Sequence, residues 1–216
     1  MAPADSAFIT MIACLVFFTY PYVAVSSSHM KVSSFVDSQK VNVSLYYETL
    51  SPNCTDFIVN NLTRVFDNNL ISIINLRLVP WGNAYINKSN NNIVCEHGPY
   101  ECQLNTVAAC AIDSWHGVNT HYGLIYCIEL LAIEGRYKEW QSCFDSYGLP
   151  KKPVLDCSNS ANGTKLELAY ANETTHLNPP HTFLPWVIVN NQPIRDDYMN
   201  FEAHVCKSYK GSVPGC

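Results

Sequence analysis

The 216-residue chain has 13 basic and 18 acidic residues, a net charge of −5 at pH 7, and 48% hydrophobic residues. This balance suits one globular domain, and the lack of a basic block argues against a nucleic-acid partner. Its ten cysteines are too many for a typical protein of a reducing compartment, so the composition favours an oxidising one.

The N-terminus predicts how the chain reaches such a compartment. An uncharged apolar stretch ends in the small residues Ala24 and Ser26, at a spacing that signal peptidase accepts. We therefore expect residues 1–26 to be a cleaved signal peptide, followed by a Ser-rich lead-in over residues 27–40. A membrane anchor is the alternative, but Pro21 and the lack of flanking basic residues favour the signal peptide. No stable membrane insertion is expected.

N-glycosylation sequons support a lumenal or extracellular environment. Each is Asn-x-Ser/Thr without an intervening proline. The six expected glycosylation sites are Asn42, Asn53, Asn61, Asn87, Asn162 and Asn172.

The cysteines left after cleavage are odd in number. Removal of Cys14 with the signal peptide leaves nine, of which eight are expected to pair in a connectivity that the sequence does not give. These eight are Cys95, Cys102, Cys110, Cys127, Cys143, Cys157, Cys206 and Cys216. Cys54 is the first candidate for the unpaired thiol, which could form a disulfide with another molecule.

The first half of the expected domain is predicted to have the element order β-α-β. The β-rich segment Val41–Tyr47 predicts a strand. Ser51 predicts a helix N-cap and Pro52 the first helical position, where the missing N–H costs nothing. Apolar residues then recur at helical spacing, and the apolar run 71–79 predicts a buried parallel strand.

The second half is predicted to be mainly helical before it ends in a strand, a turn and a helix. The predicted elements are an irregular segment (81–102), helices (104–115, 124–133, 137–144), a loop (150–164), a short helix (166–170), a strand (183–189), a turn (190–193) and a closing helix (196–209). This order fits a thioredoxin-like α/β domain over residues 41–209, in which a closing β-hairpin is usual although the strand after Asn190 is faint. A mainly helical, disulfide-stapled insertion spans about 95–175, and 210–216 form a tail.

The segment most informative about the family is CEHGPYECQLNTVAAC, from Cys95 to Cys110. It resembles the signature of the gamma-interferon-inducible lysosomal thiol reductase family, C-Q-H-G-x2-E-C-x2-N-x4-C. The matching residues are Cys95, His97, Gly98, Glu101, Cys102, Asn105 and Cys110, while Glu96 replaces the glutamine. The resemblance continues through Tyr-Tyr-Glu at 46–48, Val-Pro-Trp-Gly at 79–82 and Leu-Pro-Trp-Val at 184–187.

A zinc site is the competing interpretation of this segment. Its ligands would be Cys95, His97, Cys102 and Cys110, but disulfide formation in an oxidising lumen argues against it. We therefore expect neither a metal nor another cofactor, and His97 is interpreted as a local hydrogen-bonding residue.

The resemblance implies thiol reductase chemistry at a C-x-x-C tetrad that starts the first helix. In such a pair the first thiolate attacks a substrate disulfide, and the second cysteine resolves the mixed disulfide. Here the tetrad reads Ser51-Pro52-Asn53-Cys54. A serine hydroxyl cannot form a disulfide, which predicts reduced activity. Cys54 is left as either a buried residual thiol or a slow single-thiol nucleophile.

The resemblance also implies a substrate groove. Leu184-Pro185 resembles the cis-proline loop that faces the redox pair in thioredoxin-like proteins, and its backbone would bind an extended chain. The implied substrates are disulfide-containing or unfolded polypeptides, met in a lysosome, a vacuole or the extracellular space. A glycan on Asn53 would cover the mouth of this groove.

Three functions stay open on the sequence. The first is a family member that acts in thiol–disulfide chemistry, at a full or a reduced rate. The second is a redox-inactive, thioredoxin-like glycoprotein that binds peptides. The third is a secreted structural glycoprotein without a groove function.

Overall fold

The computed structural model describes residues 39–216, so the predicted signal peptide lies outside the described residues. The strands are β1 (Val41–Tyr47), β2 (Ile74–Pro80), β3 (Tyr85–Ile86), β4 (Ile93–Val94), β5 (Trp186–Val189) and β6 (Gln192–Pro193). The α-helices are α1 (Pro52–Asp56), α2 (Arg64–Asp67), α3 (Pro99–Ser114), α4 (Val118–Ile133), α5 (Ser142–Ser146), α6 (Lys151–Ser158), α7 (Ala161–Thr175) and α8 (Phe201–Ser208). A π-helical segment, Phe57–Leu62, continues α1, and 3-10 segments span Leu70–Ile73, Tyr137–Glu139 and Arg195–Asn200.

A four-stranded mixed sheet in the order β2-β1-β5-β6 forms the centre of the fold. β1 runs parallel to β2 and antiparallel to β5, with Tyr46 opposite Trp186. The turn between β5 and β6 has two left-handed residues, Asn190 and Asn191, as tight hairpin turns require. The predicted β-α-β opening and the closing hairpin are therefore confirmed.

Helices cover the sheet and build a second core beside it. α3 and α7 pack against β2, while α8 packs against β1 and β5. Phe57 and Phe201 meet edge to face, with ring centroids 5.4 Å apart. The second apolar cluster lies among α3 to α6 and includes Leu104, Ile128 and Phe144. None of the helices in residues 39–216 is long and apolar enough to span a bilayer.

The loop predicted over 150–164 is wrong, because α6 and the start of α7 occupy it. Pro153 is the third residue of α6, in the first turn, where a backbone N–H has no intrahelical partner. Ser160 caps α7 by accepting a hydrogen bond from the Asn162 amide at 3.2 Å. At Gly163 a Cβ would lie only 2.9 Å from the Cys157 carbonyl oxygen, so the glycine permits close packing of α7 on α6.

Other boundaries shift by a few residues. The second strand starts at Ile74 rather than at 71, since Asn69 is left-handed and a 3-10 turn follows it. α3 begins at Pro99, and β3 and β4 form an unpredicted hairpin inside the segment expected to be irregular. The helices predicted over 137–144 and 196–209 each divide into a 3-10 turn and a short α-helix. The short helix predicted over 166–170 is the middle of α7.

All eight cysteines expected to pair form disulfides. The bonds are Cys95–Cys102, Cys110–Cys157, Cys127–Cys143 and Cys206–Cys216. The second joins α3 to α6 and the third joins α4 to α5, so together with the first bond three of the four lie within the predicted helical insertion. Within the described residues Cys54 is the free cysteine, as predicted.

Candidate active site

The turn between β1 and α1 places the Ser51–Cys54 tetrad at one end of the sheet. The Thr49 amide donates to Asn105 Oδ1 at 2.9 Å, and the Thr49 hydroxyl donates to the Glu101 carbonyl at 3.1 Å. Both acceptors belong to α3 and to the cysteine-rich signature. The signature helix therefore holds the turn that presents Ser51.

Ser51 occupies the N-cap of α1, as predicted. Its backbone is extended, and its carbonyl accepts from the Thr55 amide at 2.9 Å. The expected hydrogen bond from the helix to its side chain is not made. The Ser51 side chain instead interacts with the Cys54 thiol, whose pKa it lowers.

Cys54 is completely buried, with 0% of its surface exposed. Burial raises the pKa of its thiol to about 12, although hydrogen bonds from the Glu48 backbone and the Ser51 hydroxyl oppose the rise. The thiolate is therefore a very minor form of Cys54 at pH 7. A single-thiol nucleophile and an intermolecular disulfide both need an accessible thiolate, so the burial favours a residual thiol.

The predicted groove residues lie at the same end of the sheet. The Leu184–Pro185 peptide bond is cis, as the resemblance implied. Since Trp186 pairs with Tyr46, one further step of this register places Pro185 beside Tyr47, at the end of β1. Leu184 approaches Gly82, where a Cβ would lie 2.9 Å from Leu184 Cδ1. Gly82 also has a left-handed φ of +60°, so the site requires glycine there.

The signature cysteines are structural, which overturns the zinc set proposed as the alternative. Cys95 is bonded to Cys102, and Cys110 is bonded to Cys157. None of the three cysteines of the zinc set can therefore supply a thiolate ligand. Gly98 adopts a φ of +91° immediately before α3.

His97 is a hydrogen-bonding residue, as interpreted from the sequence. Its backbone amide and its ring Nδ1 lie 2.7 and 2.6 Å from Glu101 Oε2. Glu48 Oε1 is 3.7 Å from the same ring nitrogen. Burial raises the pKa of Glu48 to about 7 and also raises that of Glu101. Glu48 was not predicted as a site residue from the sequence, although its Tyr-Tyr-Glu strand end was part of the resemblance.

A second buried acid, Glu129, lies under α1 and was also missed. The Thr55 hydroxyl donates to Glu129 Oε2 at 2.7 Å, and burial raises the Glu129 pKa to about 8. The available signal was a lone acid within the apolar run Ile-Glu-Leu-Leu of α4. Such a residue in the middle of a buried helix needs a polar partner, which Thr55 provides.

A cavity of about 490 Å³ opens beside the tetrad. Its wall combines apolar side chains with the polar groups of Thr55 and His97, and is formed by Leu50, Pro52, Thr55, His97, Ala132, Ile133, Gly135 and Tyr137. Ile133 is about half exposed. The arrangement offers an apolar contact surface next to Ser51 and Cys54.

The sequons differ in accessibility. Asn42, Asn53, Asn162 and Asn172 are exposed and Asn87 is half-buried, whereas Asn61 is only 8% exposed. A glycan on Asn61 conflicts with this burial, so Asn61 is not supported as a glycosylation site. Asn53 lies in the exposed first turn of α1, at the mouth of the site.

Solved structures confirm the fold class. A thioredoxin-like oxidoreductase from Silicibacter pomeroyi matches with a TM-score of 0.53 at 12% identity, covering 79% of this chain and 88% of that one. DsbA from Chlamydia trachomatis matches with a TM-score of 0.52 at 11% identity, covering 81% and 92%. The chain therefore has a thioredoxin-like fold with a helical, disulfide-bonded insertion.

Sequence comparisons identify the family. The family model "Gamma interferon inducible lysosomal thiol reductase (GILT)" matches residues 42–147. A "Gamma-interferon-responsive lysosomal thiol protein" of Arabidopsis thaliana is 39% identical over 179 residues, covering 82% of this chain and 74% of the relative. A "Gamma-interferon-inducible lysosomal thiol reductase" of Mus musculus is 34% identical, covering 81% and 70%. Together with the signature and the fold, these matches show that the chain belongs to the GILT family of thiol reductases.

Proposed function

We propose that this chain is a GILT-type thiol–disulfide oxidoreductase whose reductase turnover is strongly reduced. The observation that carries the proposal is the state of the tetrad, where Ser51 stands at the attacking position and Cys54 is buried with a raised pKa. Attack by Cys54 would require exposure of the thiol and loss of its proton. Even then the mixed disulfide would lack a second cysteine to resolve it.

The proposal extends to the compartment and the substrate class. Four disulfides support an oxidising lumen of the secretory pathway. The Arabidopsis and Mus relatives carry "lysosomal" in their names, which favours a lysosomal or vacuolar destination over an extracellular one. The proposed partners are disulfide-containing or unfolded polypeptides that lie along the Leu184–Pro185 loop.

Thiol reactivity tests this proposal directly. In a chain lacking residues 1–26, we expect the Cys54 thiol to resist alkylation by iodoacetamide at neutral pH and to react once in denaturant, because burial suppresses its thiolate. The same protein should show no multiple-turnover reduction of insulin with an excess of small thiol. The mass of the intact protein gives the number of alkyl adducts, and the turbidity of the insulin solution reports the reduction of insulin. Rapid alkylation of the native protein, with turnover that disappears in Cys54→Ser, would refute the proposal.

The cavity beside the tetrad supports a second candidate function, peptide binding without redox chemistry. Its apolar wall, including Leu50 and Ile133, is accessible from the surface and adjoins the end of β1, where an extended chain would reach the cis-proline loop. This function requires only the groove and no thiolate.

A binding measurement separates the two functions. We expect a fluorescent, reduced and alkylated insulin B chain to bind, because it has apolar side chains and no disulfide. Ile133→Asp should weaken binding about tenfold, since a charge on the cavity wall would have to be desolvated. Leu168→Asp is the matched control, because Leu168 is similarly exposed on α7 and is absent from the cavity wall. If Ile133→Asp and Leu168→Asp bind the peptide equally well, the cavity is not the binding site. If neither the wild type nor either variant binds the peptide, a structural glycoprotein is favoured.

A further inference from the structure

Glu48, His97 and Glu101 converge from three parts of the fold. Glu48 follows β1, His97 follows β4 and Glu101 lies in the first turn of α3. One ligand atom of each side chain lies within 4.8 Å of the other two. His97 Nδ1 is 2.6 Å from Glu101 Oε2 and 3.7 Å from Glu48 Oε1.

The charge within this cluster is unbalanced. The Glu48 and Glu101 side chains are 2% and 0% exposed, and among the described residues the partly exposed His97 ring is the basic group that contacts both. Glu96 adds further negative potential at both carboxyls. In addition, Glu101 Oε1 is fully buried and has no hydrogen-bond partner within residues 39–216. Two buried carboxyl groups and an oxygen without a hydrogen-bond partner are costly as anions unless they hold a proton or a cation approaches them.

The surroundings would orient these groups as ligands. The Asn83 amide donates to Glu48 Oε2 at 2.8 Å, which leaves Oε1 directed at His97. The His97 backbone amide donates a hydrogen bond to Glu101 Oε2 and so fixes the position of that oxygen. His97 also lines the 490 Å³ cavity, which provides an entry path and room for water ligands. Such supporting contacts are what distinguish a metal site from scattered acids.

We propose that Glu48, His97 and Glu101 bind one divalent transition-metal ion of the zinc type. One imidazole nitrogen and two carboxylate oxygens are suitable ligands for Zn²⁺, and water from the cavity would complete the coordination. The ion would replace the His97–Glu101 side-chain hydrogen bond. His97 would bind it through Nδ1 as the neutral ring with its proton on Nε2, and any other proton held by the three side chains would leave to solvent. No bond to sulfur is involved, so this set differs from the cysteine-based one that the disulfides exclude.

A competition titration tests the site. Metal-free protein lacking residues 1–26 and any tag is titrated with Zn²⁺ against a chromophoric chelator at pH 7. We expect one equivalent to bind, with the affinity reduced at least about tenfold in His97→Gln and in Glu101→Gln. His204→Gln is the matched control, because His204 contacts a single exposed carboxylate, Asp197, at 2.6 Å. Its affinity should equal that of the wild type.

Two further measurements distinguish the loss of a metal ligand from misfolding of a variant. Saturating Zn²⁺ should raise the melting temperature of the wild type but not of the two ligand variants, since only binding to the native state stabilises it. Bound Co²⁺ should show d–d bands without a thiolate charge-transfer band. Absence of stoichiometric binding, equal affinity in a folded His97→Gln or Glu101→Gln, or a thiolate band assigning the ion to Cys54 would each overturn the proposal.

Discussion

Ser51→Cys is expected to restore multiple-turnover disulfide reduction, at a rate at least about a hundredfold above the wild type. The new thiol would stand at the N-cap of α1, where the helix dipole favours a thiolate by about 0.3–1 kcal/mol. Its thiolate would attack a substrate sulfur and release one substrate thiolate. The Cys54 thiol, which already contacts the Ser51 hydroxyl, would then lose its proton and displace the second substrate thiolate. The resulting disulfide at the tetrad is reduced by the small thiol supplied in the assay.

Insulin reduction at acid and neutral pH measures this gain, with two variants as controls. Ser51→Ala should stay inactive, because it has no thiol at position 51. Ser51→Cys combined with Cys54→Ser should accumulate a mixed disulfide and fail to turn over. A folded Ser51→Cys variant without activity would mean that the groove no longer accepts disulfide substrates.

The sequon inside the tetrad needs a separate control. Thr55→Ala would abolish it but would also remove the hydrogen bond to Glu129. Asn53→Gln is the cleaner change, because Asn53 is exposed in the first turn of α1. If a glycan covers the site, Asn53→Gln should increase the rate of the Ser51→Cys protein.

Glu129→Gln is expected to change how stability depends on pH by an amount on the order of a few kcal/mol. The pKa of Glu129 is about 8 in the folded protein and about 4.3 in the unfolded chain. Between these values the folded state keeps a proton that the unfolded state releases. The contribution of Glu129 to stability is therefore complete below about pH 4 and is lost as the pH rises towards 8. The wild type should thus gain stability, relative to Glu129→Gln, on acidification.

Urea unfolding of both proteins at several pH values between about 4 and 8 measures this difference. Glutamine can still accept the Thr55 hydrogen bond, so the variant removes the titration and keeps the contact. Glu134→Gln is the control, since Glu134 is exposed beside Arg136 and should leave the profile unchanged. Parallel profiles for the wild type and Glu129→Gln would show that Glu129 does not hold its proton.

Local patterns in the sequence are enough to predict the framework of this protein. Alternating and β-branched residues in 41–47, the Ser51–Pro52 helix start and the proline-entered strand after 183 are local patterns, and each formed as predicted apart from small shifts in its ends. The signature residues and the serine at position 51 are properties of the chain, so the family could be inferred, and the loss of the attacking thiol predicted, without coordinates.

Which side chains meet, and how far they lie from water, depends on the packing of the whole domain. Glu48, His97 and Glu101 are separated by up to 53 positions, and Thr55 and Glu129 by 74, so no local pattern joins them. The same holds for the disulfide connectivity and for α6, whose Val154 and Cys157 are buried against α3. Burial is a property of the whole core, and the free energy of a charge depends on that burial. The burial of Cys54 and the raised pKa of Glu129 therefore follow from the packed structure.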